Sequence, residues 1–544
     1  MTSQPQLSPT PAATEVEEAA SSPTPMSTQE VEMALATDLI EAELPTMAEP
    51  RRGGVLQRLG SPGLKPLLLG LAGSLVLVIG GLGAGGVLVH DPILNNTPFA
   101  AWRFGHGYDL AVMVTYAGLL LEIWAWVLLG RDVLSRRAGG RAVLSTAVAW
   151  ILPILVSPPL FTRDPYSYIA YGTLPLRGFD PYSHGPNVLS GPIPNNVHWF
   201  WLDTPAPYGP LFVAVAKAVA SVTGQNMIAG VILMRLAMLV GLVLLVVALP
   251  GLCRHLGGRL PVALWLAVAN PVMVIHLIGG PHNDLLLVGL LSAGTLLVLN
   301  RKHGPGIAMV TMAMAVKATA GFALPFLVLV WAARLEGSQR TRILKAIAAG
   351  FGVFLVTFAA CSLVAGLGLG WLTAMFAPTN ITNWLSLPTG VGEFAATVVN
   401  WMFGGVQSTP YVIAARAIGG LIFLVVAFKQ WMAAREGGAD AVRRAGIVLM
   451  LFALLSPATL PWYFTWGMAL LAAVAWTARG MAIAMFASIF LIVVAFPDGE
   501  VSLYAFGYLI LVLGGALLAA VSLRKPDPLG LRRKPRLVGT AVEA

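Results

Sequence analysis

The sequence predicts an all-α polytopic membrane protein, and three observations predict it. The 544 residues are 57% hydrophobic and only 11% charged, against about 25% charged in soluble chains. Apolar runs long enough to span a bilayer recur from Leu67 to Leu523, and helices satisfy every backbone N–H and C=O within one segment there. Lys and Arg fall between the runs in a pattern that puts them on one side.

Residues 1–50 hold nine acids and no Lys or Arg and are rich in Pro, Ser, Thr, Ala and Glu. Such a stretch buries too little apolar surface to offset its ordering entropy, so a disordered, acidic cytoplasmic tail is expected. No signal-peptide pattern stands in this polar stretch. Residues 51–66 form a basic juxtamembrane segment with Arg51, Arg52, Arg58 and Lys65. The membrane domain is expected over 67–523. Its spans lie near 67–88, 108–129, 143–160, 231–249, 260–277, 284–299, 346–366, 412–431, 445–459, 463–477, 481–496 and 505–523. The stretch 307–333 is too long for one straight span and carries Lys317, so two short helices or a broken hairpin are expected. The total is about 12–14 transmembrane helices. Residues 210–223 are apolar but short, and counting them as a span would invert the charge pattern up to Lys302. They read as a re-entrant or interfacial helix. Residues 524–544 form a basic cytoplasmic tail.

With both termini cytoplasmic, the basic loops share one side. These include Arg131–Arg141, Arg254–Arg259, Arg301–Lys302, Arg334–Lys345, Arg435–Arg444 and Arg479. The other side receives the loops 89–107, 161–230, 367–411 and 457–462 and the turns "GGPHND" (279–284) and "PDGE" (497–500). Those loops hold most of the carboxylates outside the tails, together with many aromatics. The composition excludes several functions. Cys253 and Cys361 make neither a disulfide framework nor a zinc site. No basic soluble domain suits nucleic acid. No phosphate-cradling glycine loop and no Ser-His-Asp pattern stands out.

Four constellations could carry chemistry. The loop "FTRDPYSYIAYGTLPLRGFDPYSHGP" (161–186) places Arg163 and Asp164 just past the third span. Pro165 biases Asp164 towards an extended conformation, and the same dipeptide also suits a helix start. Tyr166, Tyr168, Tyr171 and Tyr182, with Asp180, resemble a sugar platform or an ordinary interfacial belt. Lys317 is an intramembrane cation, which marks a site or a paired group, or snorkels to the surface. His282, Asn283 and Asp284 open the sixth span, where an acid also suits a helix N-terminus. Trp462, Tyr463 and Trp466 in "SPATLPWYFTW" form a ring cluster that anchors the interface or walls a sugar or isoprenoid chain. Asp91, in the first external loop, is the rival carboxylate to Asp164.

In their order along one polytopic chain, "DPYSYIAYG", "RGFDPYSHGP", "PYGPL" (207–211), "GGPHND", "VKATAGFALP" (316–325) and "LPWYFTW" (460–466) carry a family resemblance. The chain resembles the GT-C class of membrane glycosyltransferases, and within it the actinobacterial α-1,6-mannopyranosyltransferases of lipomannan and lipoarabinomannan synthesis. The resemblance covers roughly residues 60–525. It implies a GT-C-like helical bundle with its reaction surface in 161–230, on the external face of the plasma membrane. It also implies a polyprenyl-phosphate-mannose donor and an acceptor on mannosylated phosphatidylinositol. Asp164, with Asp91 as rival, is then the general base of an inverting transfer to a 6-hydroxyl. Lys317, with Arg163 and His282, would meet the donor phosphate. Tyr166, Tyr168, Tyr171, Asp180, Tyr182, Asn283, Asp284, Trp462 and Tyr463 would bind sugar or acceptor. Metal use varies in this class; no cofactor is certain, and a divalent metal is possible but not indicated. A transporter or lipid-linked sugar flippase, or the same fold with another polyprenyl-linked sugar, is the alternative.

Overall fold

Small residues set how the helices approach one another. In the computed structural model, Leu64–Ala84 packs along Gly105–Leu134 through facing glycines. A β-carbon at Gly80 would lie 2.4 Å from Thr115 Oγ1, and one at Gly118 would lie 2.7 Å from Leu77 N. Close approach of this kind is how helices associate in lipid, where apolar burial gives no net drive. The same device joins Met227–Leu256 to Asp284–Leu299. A β-carbon at Gly241 would lie 2.0 Å from Leu285 O, and one at Gly289 would lie 2.1 Å from Gly241 O. This second contact fixes the helix that begins at Asp284.

The structure describes residues 63–499 and 505–525 and the single positions 503 and 528. The acidic tail 1–50, Arg51, Arg52, Arg58, Glu500 and most of the basic tail 524–544 lie outside the described residues. Among the described residues every element is helical, apart from one isolated bridge between Gly257 and Val474. Each span expected from the sequence coincides with one or more helices.

By length and composition, five helices are long and apolar enough to cross a membrane. They are Leu64–Ala84, Gly105–Leu134, Met227–Leu256, Gln339–Ala365 and Thr409–Ala433. A sixth forms if the bent pair Leu260–Ala267 and Val272–Gly279 counts as one. The span expected near 260–277 is present but bent by 51°. The bend falls at Asn270-Pro271, where proline disfavours a helical residue before it and donates no N–H. The span expected over 463–477 is likewise a short helix, Phe464–Leu471, entered through the turn Pro461–Tyr463. The expected total of about 12–14 therefore includes broken and short helices. The break expected in 307–333 falls at Lys317, whose extended backbone separates His303–Val316 from Ala318–Ala323 and Leu324–Ala332. Residues 210–223 form the 14-residue helix Pro210–Thr223.

The basic loops gather at one end of the bundle. Arg259 donates to Val133 O, Arg334 to Leu299 O, and Arg131 to Ser522 O. Asp164, His282 and the Trp462 turn come together elsewhere.

Candidate active site

Asp164 begins the helix Asp164–Leu176, with Pro165 in its first turn. Its N–H donates to Thr162 Oγ1 at 3.1 Å. The carboxylate points back towards the turn after Val272–Gly279, where its Oδ2 lies 3.5 Å from His282 Nδ1. Tyr168 Oη sits 3.3 Å from the same nitrogen. His282 is fully buried and lies flat on Trp462, with ring centroids 3.6 Å apart and planes at 20°. Burial, then the neighbouring His276 and Lys317, hold this imidazole well below its usual pKa, so it is neutral. Its contact with Asp164 is a polar one and not an ion pair.

Asp164 is itself mostly buried. Burial pushes its carboxyl up to about 6; Lys317 pulls it down, Asp284 pushes it up, and hydrogen bonds from Trp201 and Tyr168 favour the ionised form. A carboxyl poised there is suited to accept a proton near neutral pH.

Lys317 sits next to this carboxylate, and it is paired. Its Nζ lies 2.9 and 3.1 Å from the two oxygens of Asp284, and Trp466 Nε1 also donates to Asp284. The ammonium faces the rings of Tyr463 and Trp466 at 4.6 and 5.2 Å from their centroids. Lys317, Tyr463 and Trp466 form one wall of a cavity of about 830 Å³. Its other walls are largely apolar and include Phe322, Phe354 and Phe376.

The sequence-predicted residues therefore separate into two groups. Asp164, Tyr168, His282, Asp284, Lys317, Trp462 and Tyr463 come together. Asn283 is buried beside them, with neither polar atom of its amide partnered among the described residues. The others lie apart from Lys317. Asp91 accepts the N–H groups of Ile93 and Leu94, a local turn. It borders a smaller cavity of about 120 Å³ with Tyr166. Arg163 donates to Asn196 O and Val87 O at 3.1 and 3.0 Å, tying three segments together. Asp180 closes its own turn on Tyr182 N and Ser183 Oγ. Tyr166, Tyr171 and Tyr182 are buried, and the hydroxyls of the first two reach Gly86 O and Thr204 O. These three rings pack within the loop. Among the described residues no group of three or more His, Cys, Asp or Glu side chains could hold a metal.

Trp201 and His276 went unread in the sequence, and so did Arg235. Arg235, buried within Met227–Leu256, donates to Leu155 O, Ile278 O and Gly279 O at 2.6, 2.9 and 2.8 Å. It thereby ties the end of the helix before Asp164 to the turn that carries His282. A charged residue inside an apolar run is the signal that could have found it.

The comparisons with known proteins agree on one family. The model of the alpha-(1->6)-mannopyranosyltransferase N-terminal domain matches residues 67–333, and that of the MptB C-terminal domain matches 388–525. The chain is 39% identical to alpha-(1->6)-mannopyranosyltransferase A of Mycobacterium tuberculosis, over 95% of this chain and 99% of the relative. It is 30% identical to the A enzyme of Corynebacterium glutamicum, over 72% and 84%. It is 28% identical to alpha-(1->6)-mannopyranosyltransferase B of the same bacterium, over 74% and 72%. No solved structure matches the chain significantly. A match over almost the whole length of both chains, with both domain models in order, places this membrane protein among the mannosyltransferases: it belongs to the alpha-(1->6)-mannopyranosyltransferase family.

Proposed function

We propose that this enzyme transfers mannose from polyprenyl-phosphate-mannose to the 6-hydroxyl of an α-1,6-mannan core carried on mannosylated phosphatidylinositol. The observation that carries the reading is that Asp164 lies within electrostatic reach of the Lys317–Asp284 pair, whose Lys317 lines the 830 Å³ apolar cavity. The cavity suits an isoprenoid chain, and the cation at its wall suits the phosphate on that chain.

In this mechanism the acceptor 6-hydroxyl gives its proton to Asp164 as its oxygen attacks the anomeric carbon. The new C–O bond forms on the face opposite the bond to phosphate, which breaks, so a β-linked donor gives an α product. Polyprenyl phosphate leaves with the bonding pair and needs no acid. It gains one negative charge, which Lys317 offsets. Asp284 and Trp466 hold that ammonium in place, and neutral His282 orients the Asp164 carboxylate from its seat on Trp462. One carboxylate suffices here, unlike the paired carboxylates of glycosidases.

The basic loops at one end support a cytoplasmic assignment for that end, and for both termini, under the positive-inside rule. Asp164 then faces the exterior of the plasma membrane. The relatives' names favour mannose over another sugar.

The test is transfer by the purified protein in nanodiscs, given polyprenyl-phosphate-mannose and a short α-1,6-mannoside. A new α-1,6 product from wild type and none from Asp164→Asn is the expected result. Product from both would move the base elsewhere. No product from either, with donor and acceptor intact, would overturn the substrate assignment.

A further inference from the structure

The helices Ala478–Val493 and Phe506–Ser522 pack against each other. Between the start of the first and the end of the second lies a cavity of about 600 Å³. The side chains of Ile483, Phe486 and Leu517 line it, and Arg479, Arg524 and Lys525 stand at its edge. Among the described residues no acidic side chain lines it. Some bases at helix ends have carboxylate partners: Arg137 pairs with Asp132 at 2.8 Å, and Arg444 with Asp440 at 2.5 Å. Arg479, Arg524 and Lys525 are not paired with a carboxylate among the described residues.

This cavity shares no lining residue with the one beside Lys317. Ala478–Val493 is 16 residues long, about 24 Å at 1.5 Å per residue. Beyond its far end, Gly499 packs against Phe161 and Thr162, next to Asp164. The cations therefore lie one helix length from the reaction site.

We propose that this cavity is a binding site for an anionic glycerophospholipid of the leaflet at the basic end of the bundle. The phosphate of the headgroup sits among Arg479, Arg524 and Lys525, and an acyl chain lies over Ile483, Phe486 and Leu517. Charge complementarity selects the occupant. Three clustered cations with no carboxylate beside them among the described residues favour net negative charge, and a zwitterionic headgroup brings its own cation into the cluster. The apolar walls below the cations match a chain attached to that charge, which free phosphate lacks.

The experiment uses the full chain in nanodiscs of phosphatidylcholine with added phosphatidylglycerol. Native mass spectrometry reads the phosphatidylglycerol retained after release. Wild type retains it in preference to phosphatidylcholine. The Arg479→Gln/Arg524→Gln/Lys525→Gln variant binds it about a hundredfold more weakly, at roughly fivefold per charge removed. Leu517→Trp keeps every charge, fills the groove from a lipid-exposed position, and also loses the lipid. Both variants keep mannosyl transfer, which reports that they are folded. Should the triple variant misfold, Lys525→Gln alone decides, with a loss of about fivefold. Retention equal to wild type in Leu517→Trp and in the charge variant would overturn the site. So would complete displacement of the lipid by inorganic phosphate, which would mark an anion site without an acyl groove.

Discussion

Lys317 Nζ lies within 3.1 Å of both carboxylate oxygens of Asp284, in a shell completed by Trp466 and Tyr463. The two residues are 33 positions apart, one at a break between helices and the other at a helix start. The pair neutralises itself in apolar surroundings, so a donor phosphate that approaches Lys317 meets a shared cation and not a bare one. That sharing predicts how the site fails when either partner is removed. Asp284→Asn leaves a buried ammonium uncompensated and destabilises the protein by about 3–5 kcal/mol. Lys317→Met leaves the carboxylate in the same position. The double variant recovers part of that stability, because no lone charge remains, yet stays inactive. Melting temperatures of the four proteins in detergent, read as a double-mutant cycle, check this. Additive losses would mean that the pair is not coupled.

With Asp164 as the proposed base, its protonation state sets the pH dependence. Its carboxyl is raised to about 6 by burial, and the reaction requires the ionised form. Transfer is therefore full above that value and falls about tenfold per pH unit below it. Stability runs the other way. A folded pKa above the unfolded one means that the folded state binds more protons between the two values, so stability declines as pH rises through about 4 to 6. Asp164→Asn removes that penalty. It loses about 100-fold or more in kcat and melts higher than wild type at neutral pH. Asp91→Asn, which breaks only a local turn, stays within about twofold in kcat. A pH–rate profile with paired melting curves tests both signs at once.

Arg235 predicts an effect at a distance from the reacting atoms. It holds three carbonyls, two of them in the turn that precedes His282. Arg235→Met strips Leu155 O and Ile278 O of this donor and leaves Gly279 O only the Leu160 N–H, at a cost on the order of 3 kcal/mol. Arg235→Lys keeps the charge but reaches fewer carbonyls, so it folds and moves the turn. Its expected signature is a lower kcat, a nearly unchanged KM for the donor, and a shifted pH midpoint, since His282 no longer sits at its present distance from Asp164. A purely structural role would lower the amount of folded enzyme and leave the midpoint near 6.

The sequence made the helices legible because apolar runs in a bilayer leave the backbone few alternatives. It also made the break at Lys317 legible, because a cation in a long apolar stretch is costly. Asp164, Lys317, His282 and Trp462 are far apart in the chain; only the family resemblance joins them in one site, and their contacts are not legible in the residues themselves. Asp164 reaches His282 across 118 positions, and the contact depends on how Met227–Leu256 and Asp284–Leu299 interlock at Gly241 and Gly289. The packing of the tyrosines was hidden for a related reason. Their spacing in 166–171 says that they share a short helix, but not that the helix is packed on every face. The shortness of Phe464–Leu471 was also hidden, since hydropathy is uniform through the turn that ends it.

The apolar cavity beside Lys317 predicts a selective effect on donor length. Val328 lines it well away from the carboxylates, and its side chain is only partly buried. Val328→Trp fills part of the space that an isoprenoid chain would occupy. Displacing two methylenes from apolar contact costs about 1.6 kcal/mol at about 0.8 kcal/mol each, so KM for a long-chain donor rises roughly tenfold. A donor whose chain ends before Val328 loses nothing. In both cases kcat holds, because the chain takes no part in bond breaking and its binding is equal in ground and transition states. The check is the ratio of KM values for a long and a short polyprenyl-phosphate-mannose, in wild type and variant. If both donors weaken equally, the substitution has disturbed the Lys317 wall itself. If neither weakens, the chain runs elsewhere and the cavity is not the donor site.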